Sequence, residues 1–145
     1  MEAGYSDAQL SYSSSTLAHL LGSFKYIEAF RQTGELDGAG YEVIDRCRHY
    51  IMENIEKKIS LNDICSYLGH SPSFCNSLFK KYTGMSPVQY MQNLRVQTSA
   101  HLMGITGMKV NQVCHKVGID DPYYFSRLFS KTMGISPKEY RKSIK

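Results

Sequence analysis

Apolar residues recur along much of this chain at the three- and four-residue spacing of amphipathic helices. The stretch Tyr123 to Lys131 shows the pattern clearly. On a helical wheel Phe125, Leu128, Phe129 and Thr132 fall on one side, as in a helix packed on a core. Tyr123, Ser126, Arg127 and Ser130 fall on the other, with Tyr124 at the boundary. The outer side carries a guanidinium, two hydroxyls and a phenol, and no acid. Such a face can donate hydrogen bonds to base edges and phosphates. Taken alone it is equally the surface of an ordinary solvated helix.

The pattern occurs twice. Leu61 to Gly69 aligns with Val110 to Gly118 at an offset of 49 residues, and from Pro72 onward the offset is 50. Pro72 then meets Pro122, Leu78-Phe79 meets Leu128-Phe129, Lys81 meets Lys131, and Tyr90 meets Tyr140. One residue is therefore inserted in the second copy between Gly118 and Pro122. Two copies are too few for a solenoid, so the chain reads as a duplicated module. Each copy starts with a short helix, with Leu61, Ile64, Cys65 and Leu68, then Val110, Val113, Cys114 and Val117, on its apolar face. A glycine suited to positive φ follows, then a second helix ended at Gly84 or Gly134. That is a helix-turn-helix, whose second helix enters the DNA major groove; a plain helical hairpin shares the periodicity.

Taken in order, the chain predicts an all-α fold. Residues 1–15 are polar and serine-rich and read as a loose lead-in. Leu17, Leu20, Leu21, Phe24, Ile27 and Phe30 form a helical apolar stripe, a candidate dimer or interdomain contact. Residues 33–40 hold three glycines and read as a linker. A helix is expected over about 41–58, with Lys57 and Lys58 suiting its C-terminus. Ser60 and Asp63 give a capping pattern that the second copy lacks, Lys109 standing in place of Ser60. The first reading helix spans about 72–82, with Cys75, Leu78, Phe79 and Tyr82 inward. Ser86-Pro87 starts a linker helix to about Met103, with Val88, Met91, Leu94 or Arg95, Thr98 and Leu102 inward, and Gly104 to Gly107 break it. At ~1.5 Å per residue such a rod spans roughly 25 Å, and reading helices about 34 Å apart meet successive major-groove turns. A last helix begins at Ser136-Pro137.

Gly118-Ile119-Asp120-Asp121-Pro122-Tyr123-Tyr124-Phe125-Ser126-Arg127-Leu128-Phe129 and Gly134-Ile135-Ser136-Pro137-Lys138-Glu139-Tyr140-Arg141 resemble the DNA-binding unit of the AraC/XylS (arabinose-regulator-type) transcription factors. The resemblance covers residues 41–145, with helix-turn-helix units at about 61–82 and 110–132 and a linker helix at about 87–103, behind an N-terminal extension of residues 1–40. It implies a bacterial transcriptional regulator, an activator in many members, that binds double-stranded DNA sequence-specifically. Base-edge contacts then map onto Ser73, Asn76 and Ser77 in the first unit and Tyr123, Tyr124, Ser126 and Arg127 in the second. Lys80, Lys81, Ser130 and Lys131 are placed for phosphates. The first unit departs from members that carry an arginine on this face. RNA polymerase, a twin chain and an N-terminal effector domain are further candidate partners. Forty residues leave no room for such a domain, so the chain reads as a short member or a C-terminal piece.

Charge sharpens this picture. Residues 1–40 hold two basic and five acidic residues, net −3; residues 41–145 hold fifteen and eight, net +7. A basic excess confined to the duplicated region suits a polyanionic partner. None of the four cysteines forms a CxxC pair, which argues against a zinc framework, and Cys65 and Cys114 read as small buried hydrophobes. His115 beside Cys114 lies off the apolar face, without a catalytic or metal partner in the sequence. There is no phosphate-binding glycine loop and no nucleophile with a base, so neither an enzyme nor a cofactor is expected. With no signal sequence and no run of eighteen apolar residues, the chain is expected in the cytoplasm and not in a membrane. The competing function class is a helical protein–protein interaction module.

Overall fold

The structure is a computed structural model that describes residues 38–145; the Leu17 to Phe30 stripe and most of the glycine-rich segment lie outside them. The described helices are α1 Gly38–Glu53, α2 Leu61–Leu68, α3 Pro72–Thr83, α4 Pro87–Ile105, α5 Val110–Lys116, α6 Pro122–Met133 and α7 Pro137–Ser143. No strand occurs among the described residues. The fold is all-α, with two helix-turn-helix pairs, α2–α3 and α5–α6, joined by α4.

Two separate cores stand behind the pairs. Ile44, Cys47, Ile51, Ile64, Cys65, Leu68, Cys75, Phe79 and Met91 form the first. Val96, Ala100, Met103, Val113, Cys114, Val117, Ile119, Phe125 and Phe129 form the second. Helix α4 serves both. Its opening turns close the first core, where Tyr90 meets Phe79 edge-on at 5.5 Å. In the second core α7 does the same, Tyr140 lying 5.6 Å from Phe129. The later turns of α4 stand where α1 stands in the first unit. Cys47 and Ile51 of α1 match Val96 and Ala100 of α4 at the repeat offset of 49, and all four are buried. Two bodies on different sides of α4 explain why its buried residues are Pro87, Met91, Arg95, Val96, Ser99, Ala100 and Met103, rather than one expected stripe. Of the expected inward positions, Val88, Leu94, Thr98 and Leu102 are half-buried.

Local chemistry sets the ends. Gly69, Gly84, Gly118 and Gly134 have φ of +72°, +72°, +75° and +79°, so glycine closes both short helices and both second helices as the repeat predicts. Ser60 and Asp63 form the expected reciprocal cap on α2, and the hydrogen bonds from Ser60 hold the Asp63 carboxyl below its ordinary range. On α5 only half of such a cap exists, Gln112 Oε1 accepting from the Lys109 N–H at 2.8 Å. The cysteines are buried. Burial pushes the Cys47 and Cys75 thiols up to about 12 and Cys114 to about 11, so these groups remain protonated packing atoms.

Three boundaries differ from expectation. Helix α1 already includes Gly38 to Gly40, within the segment expected to be a linker, and Gly40 is a buried packing position against Tyr82. It ends at Glu53, not near residue 58. Asn54 stops it: its Nδ2 donates to Tyr50 O at 2.9 Å, and the Lys57 N–H folds back onto Asn54 O at 2.8 Å. Lys57 and Lys58 therefore lie in a loop and not on a helix end. Helix α4 runs through Gly104 to Ile105, and Thr106 ends it by donating from Oγ1 and N–H to Leu102 O at 2.6 and 3.0 Å.

These two glycines give opposite expectations. A Cβ on Gly104 meets nothing, and in a helix alanine is favoured over glycine, so Gly104→Ala should stabilise by about 0.5–1 kcal/mol. A Cβ on Gly40 runs into the Tyr82 ring, so Gly40→Ala should destabilise by about 1 kcal/mol or more. Urea midpoints of the two variants moving the same way would refute this account.

Candidate nucleic-acid interface

Helix α6 is built to hold one face outward. Asp121 Oδ1 accepts from the Tyr123 N–H at 2.9 Å, Pro122 occupies the first turn, and Gly134 ends the helix. Phe125 and Phe129 are fully buried and anchor the inner face. Tyr123 is 80% exposed, Arg127 and Lys131 are exposed, and Ser126 and Ser130 are half-buried. These residues share one face, as the wheel predicts. Tyr124 differs in having an internal partner: its hydroxyl accepts from Gln92 Nε2 of α4 at 2.6 Å, which turns the ring toward the linker helix.

Helix α3 repeats the design with weaker chemistry. Ser71 Oγ accepts from the Phe74 N–H at 3.3 Å, and Cys75 and Phe79 are the buried anchors. Ser73, Ser77 and Lys80 are exposed and Asn76 is half-buried. Lys81 is exposed, with its ammonium 5.3 Å from the centre of the Tyr82 ring. Sequence reasoning missed Phe74. It is 45% exposed at the start of the helix and lies 4.4 Å from the His70 ring. The repeat register held the signal, since Phe74 aligns with Tyr124 at the offset of 50. No glutamine stands at its side of α1, so this ring has no counterpart of the Gln92 tether.

Neither α3 nor α6 contains an acid, and their basic residues lie at Lys80, Lys81, Arg127 and Lys131. Several acids are engaged elsewhere. Asp63 and Glu139 cap α2 and α7, where hydrogen bonds from Ser60 and Ser136 hold their carboxyls below the usual range. Asp45 lies 3.6 Å from Arg48, Glu56 pairs with Lys116 at 2.6 Å, and Asp120 pairs with Lys58 at 2.8 Å. Asp121, capping α6, is the acid nearest the second reading face in sequence. The arrangement offers two outward helices rich in donors, the second with a forked guanidinium at mid-face.

Two helix-turn-helix units on a shared helix define a class of DNA-binding fold. A family model described as a helix-turn-helix domain matches residues 64–143. The chain belongs to the AraC-type helix-turn-helix family. It is 31% identical over 143 residues to the MmsAB operon regulatory protein of Pseudomonas aeruginosa, covering 99% of this chain and 44% of that protein. The C-terminal domain of AraT, a response regulator from Geobacillus stearothermophilus, is similar at 28% identity and a TM-score of 0.65, over 70% of this chain and 84% of that one. A transcriptional regulator of Chromobacterium violaceum with an AraC-type DNA-binding domain is similar at 26% identity and a TM-score of 0.69, over 74% and 96%. The chain spans less than half the length of these curated relatives, 44%, 40% and 34% for three of them.

The Gln92 contact gives Tyr124 a positioning role that can be measured. Tyr124→Phe removes the acceptor and should cost about 0.5–1 kcal/mol in denaturant unfolding, the usual net worth of one hydrogen bond. No measurable loss would show that the Gln92 contact does not hold the ring.

Proposed function

We propose that this chain is a sequence-specific DNA-binding transcriptional regulator that inserts α3 and α6 into successive major-groove segments. The observation that carries this reading is the pair of acid-free, lysine-ended outer faces hung on one shared helix. Arg127 is suited to a bidentate contact with guanine O6 and N7. Tyr123 and Ser126 flank it. Ser73, Asn76 and Ser77 read in the first unit, where short side chains suit fewer or water-mediated contacts. Exposed Phe74 adds an apolar surface fit for a thymine methyl group. Lys80, Lys81, Ser130 and Lys131 serve phosphates. The relatives are transcriptional regulators, and among the described residues no helix is long and apolar enough to cross a membrane. A cytoplasmic role beside RNA polymerase fits that company.

Sites selected from random DNA, measured at several salt concentrations, test the reading. Phosphate contacts release counterions, so log affinity should fall linearly with log salt. An interaction module without DNA specificity would give no enriched sequence.

The stripe Leu17, Leu20, Leu21, Phe24, Ile27 and Phe30 is proposed as a dimer or interdomain contact, on the strength of its apolar spacing. Sedimentation of the full chain and of residues 38–145 should show self-association only in the former. Loss of folding on removal of residues 1–37 would assign the stripe to the core instead.

Arg127 and Lys131 should fail differently. Arg127→Ala should cost about 1–3 kcal/mol and relax preference at one base pair. Lys131→Ala should weaken all sequences alike and lower the salt slope by about one. Even loss across all sequences for Arg127→Ala would make it a phosphate clamp and displace the assigned reading face.

A further inference from the structure

The two units meet at a second place besides α4. The loop that follows α1 lies against the turn between α5 and α6. Gly118 is its tightest point: a Cβ there would collide with Ile55 O and stand 3.0 Å from both Lys57 O and Arg95 Nη2, and its φ of +75° already favours glycine. Arg95, buried at 8% exposure, reaches from the middle of α4 to donate from Nη2 to Lys57 O at 2.7 Å. Its Nε is buried without a partner, so this guanidinium is held in place at some cost in hydrogen bonding. Two ion pairs flank the seat, Glu56 Oε1 to Lys116 Nζ at 2.6 Å and Lys58 Nζ to Asp120 Oδ2 at 2.8 Å. His115 Nδ1 stands 3.8 Å from the other Asp120 oxygen. The Gly118 seat and the two ion pairs join the loop of the first unit to the second unit, Arg95 ties α4 to that same loop, and the His115 contact lies within the second unit.

The single inserted residue of the second copy falls here. The first copy passes from Gly69 to Pro72 through two residues, the second from Gly118 to Pro122 through three. The longer turn buries Ile119 in the second core and brings Asp120 to Lys58. In the first copy His70, which follows its glycine, is exposed and its ring lies tilted against Phe74.

We propose that this joint, Gly118 seated on the Ile55–Lys57 carbonyls with Arg95 as its pin, fixes the angle between the two reading helices and so sets which half-site spacing the chain accepts. Arg95, Lys58, Lys116 and Asp120 are positioning residues in this proposal. They act on DNA choice through α3 and α6 rather than by touching bases. The exposed pairs are individually weak, because water screens them. Their part is to exclude rotations about α4 that the seat alone allows. A helix by itself is a poor angular clamp, since long helices bend gently along their length. A second contact off the helix axis removes that freedom. The proposal rests on the DNA-reading function above and is testable without it.

The test uses the full chain and two variants. Lys58→Glu with Lys116→Glu reverses both surface pairs and leaves the cores intact; Arg95→Met removes the pin. Residual dipolar couplings of the free protein report whether the two units share one alignment tensor. Wild type should show one tensor. Both variants should show two, with chemical shifts inside each core unchanged. Adding Asp120→Lys and Glu56→Lys to the first variant should restore a single tensor. With DNA, preference for the selected site over one with a base pair inserted between half-sites should fall by about tenfold in the variants, and half-site affinity should be retained. A single tensor with unchanged spacing preference in both variants overturns the proposal. Failure of wild type to enrich any DNA sequence would sink the functional reading alone, and the tensors would still decide the joint.

Discussion

Helix α4 is the constraint on which the rest of the structure depends. It contributes Met91 to one core and Val96, Ala100 and Met103 to the other, so neither unit is complete without it. Each buried large apolar side chain contributes about 1.5–3 kcal/mol. Exposed ion pairs such as Lys58 with Asp120 contribute about 0–1. The cores therefore hold the two units on the helix, and the surface pairs can act only on their angle. Arg95 lies between the two buried sets and belongs to neither. A polar residue fits at that point because it is where one core ends and the other begins.

The same helix explains how a duplication became one object. An isolated unit needs an opening helix, a short helix, a second helix and a closing helix. Here the closing helix of the first unit runs without a break into the opening helix of the second. Tyr90 and Tyr140 mark the two closing positions, and Cys47 and Val96 the two opening ones. Four flanking helices, two opening and two closing, are thereby reduced to three. The cost is that α4 must satisfy two packing directions, which gives its buried positions their irregular spacing.

Much of the fold was legible because its signals are local. Proline after serine, glycine after a periodic run and apolar residues every third or fourth place each act within one turn of helix. The duplication doubled every such signal, and the outward placement of Ser73, Ser77, Tyr123 and Arg127 followed from periodicity. The misplaced ends of α1 and α4 were decided by Asn54 and Thr106, whose side chains bond backbone carbonyls at close range. Propensity alone does not say that a polar residue will make that bond. Gly40 was misread for a different reason: its meaning lies in Tyr82, far along the chain. The Gln92 tether and the joint at Gly118 are also long-range, and no periodicity encodes them. Phe74 was visible in the repeat register as the counterpart of Tyr124, but the Gln92 bond that distinguishes the two rings was not.

The asymmetry of the two faces gives the joint its physical purpose. In the proposed reading α6 carries an arginine able to discriminate a guanine, whereas α3 offers serines, an asparagine and a phenylalanine. A reader as weak as α3 selects little when it is free to search. Held rigidly beside a bound α6, it meets its half-site as an intramolecular partner, at an effective concentration set by geometry. Small differences at the first half-site then add to the affinity of the whole without the entropy of a second encounter. That gain vanishes if the angle between the units is loose, because the favourable geometry becomes one of many. A weakly polar α3 and a fixed joint are therefore two halves of one solution: the less a helix can hold on its own, the more its placement must be decided by the protein.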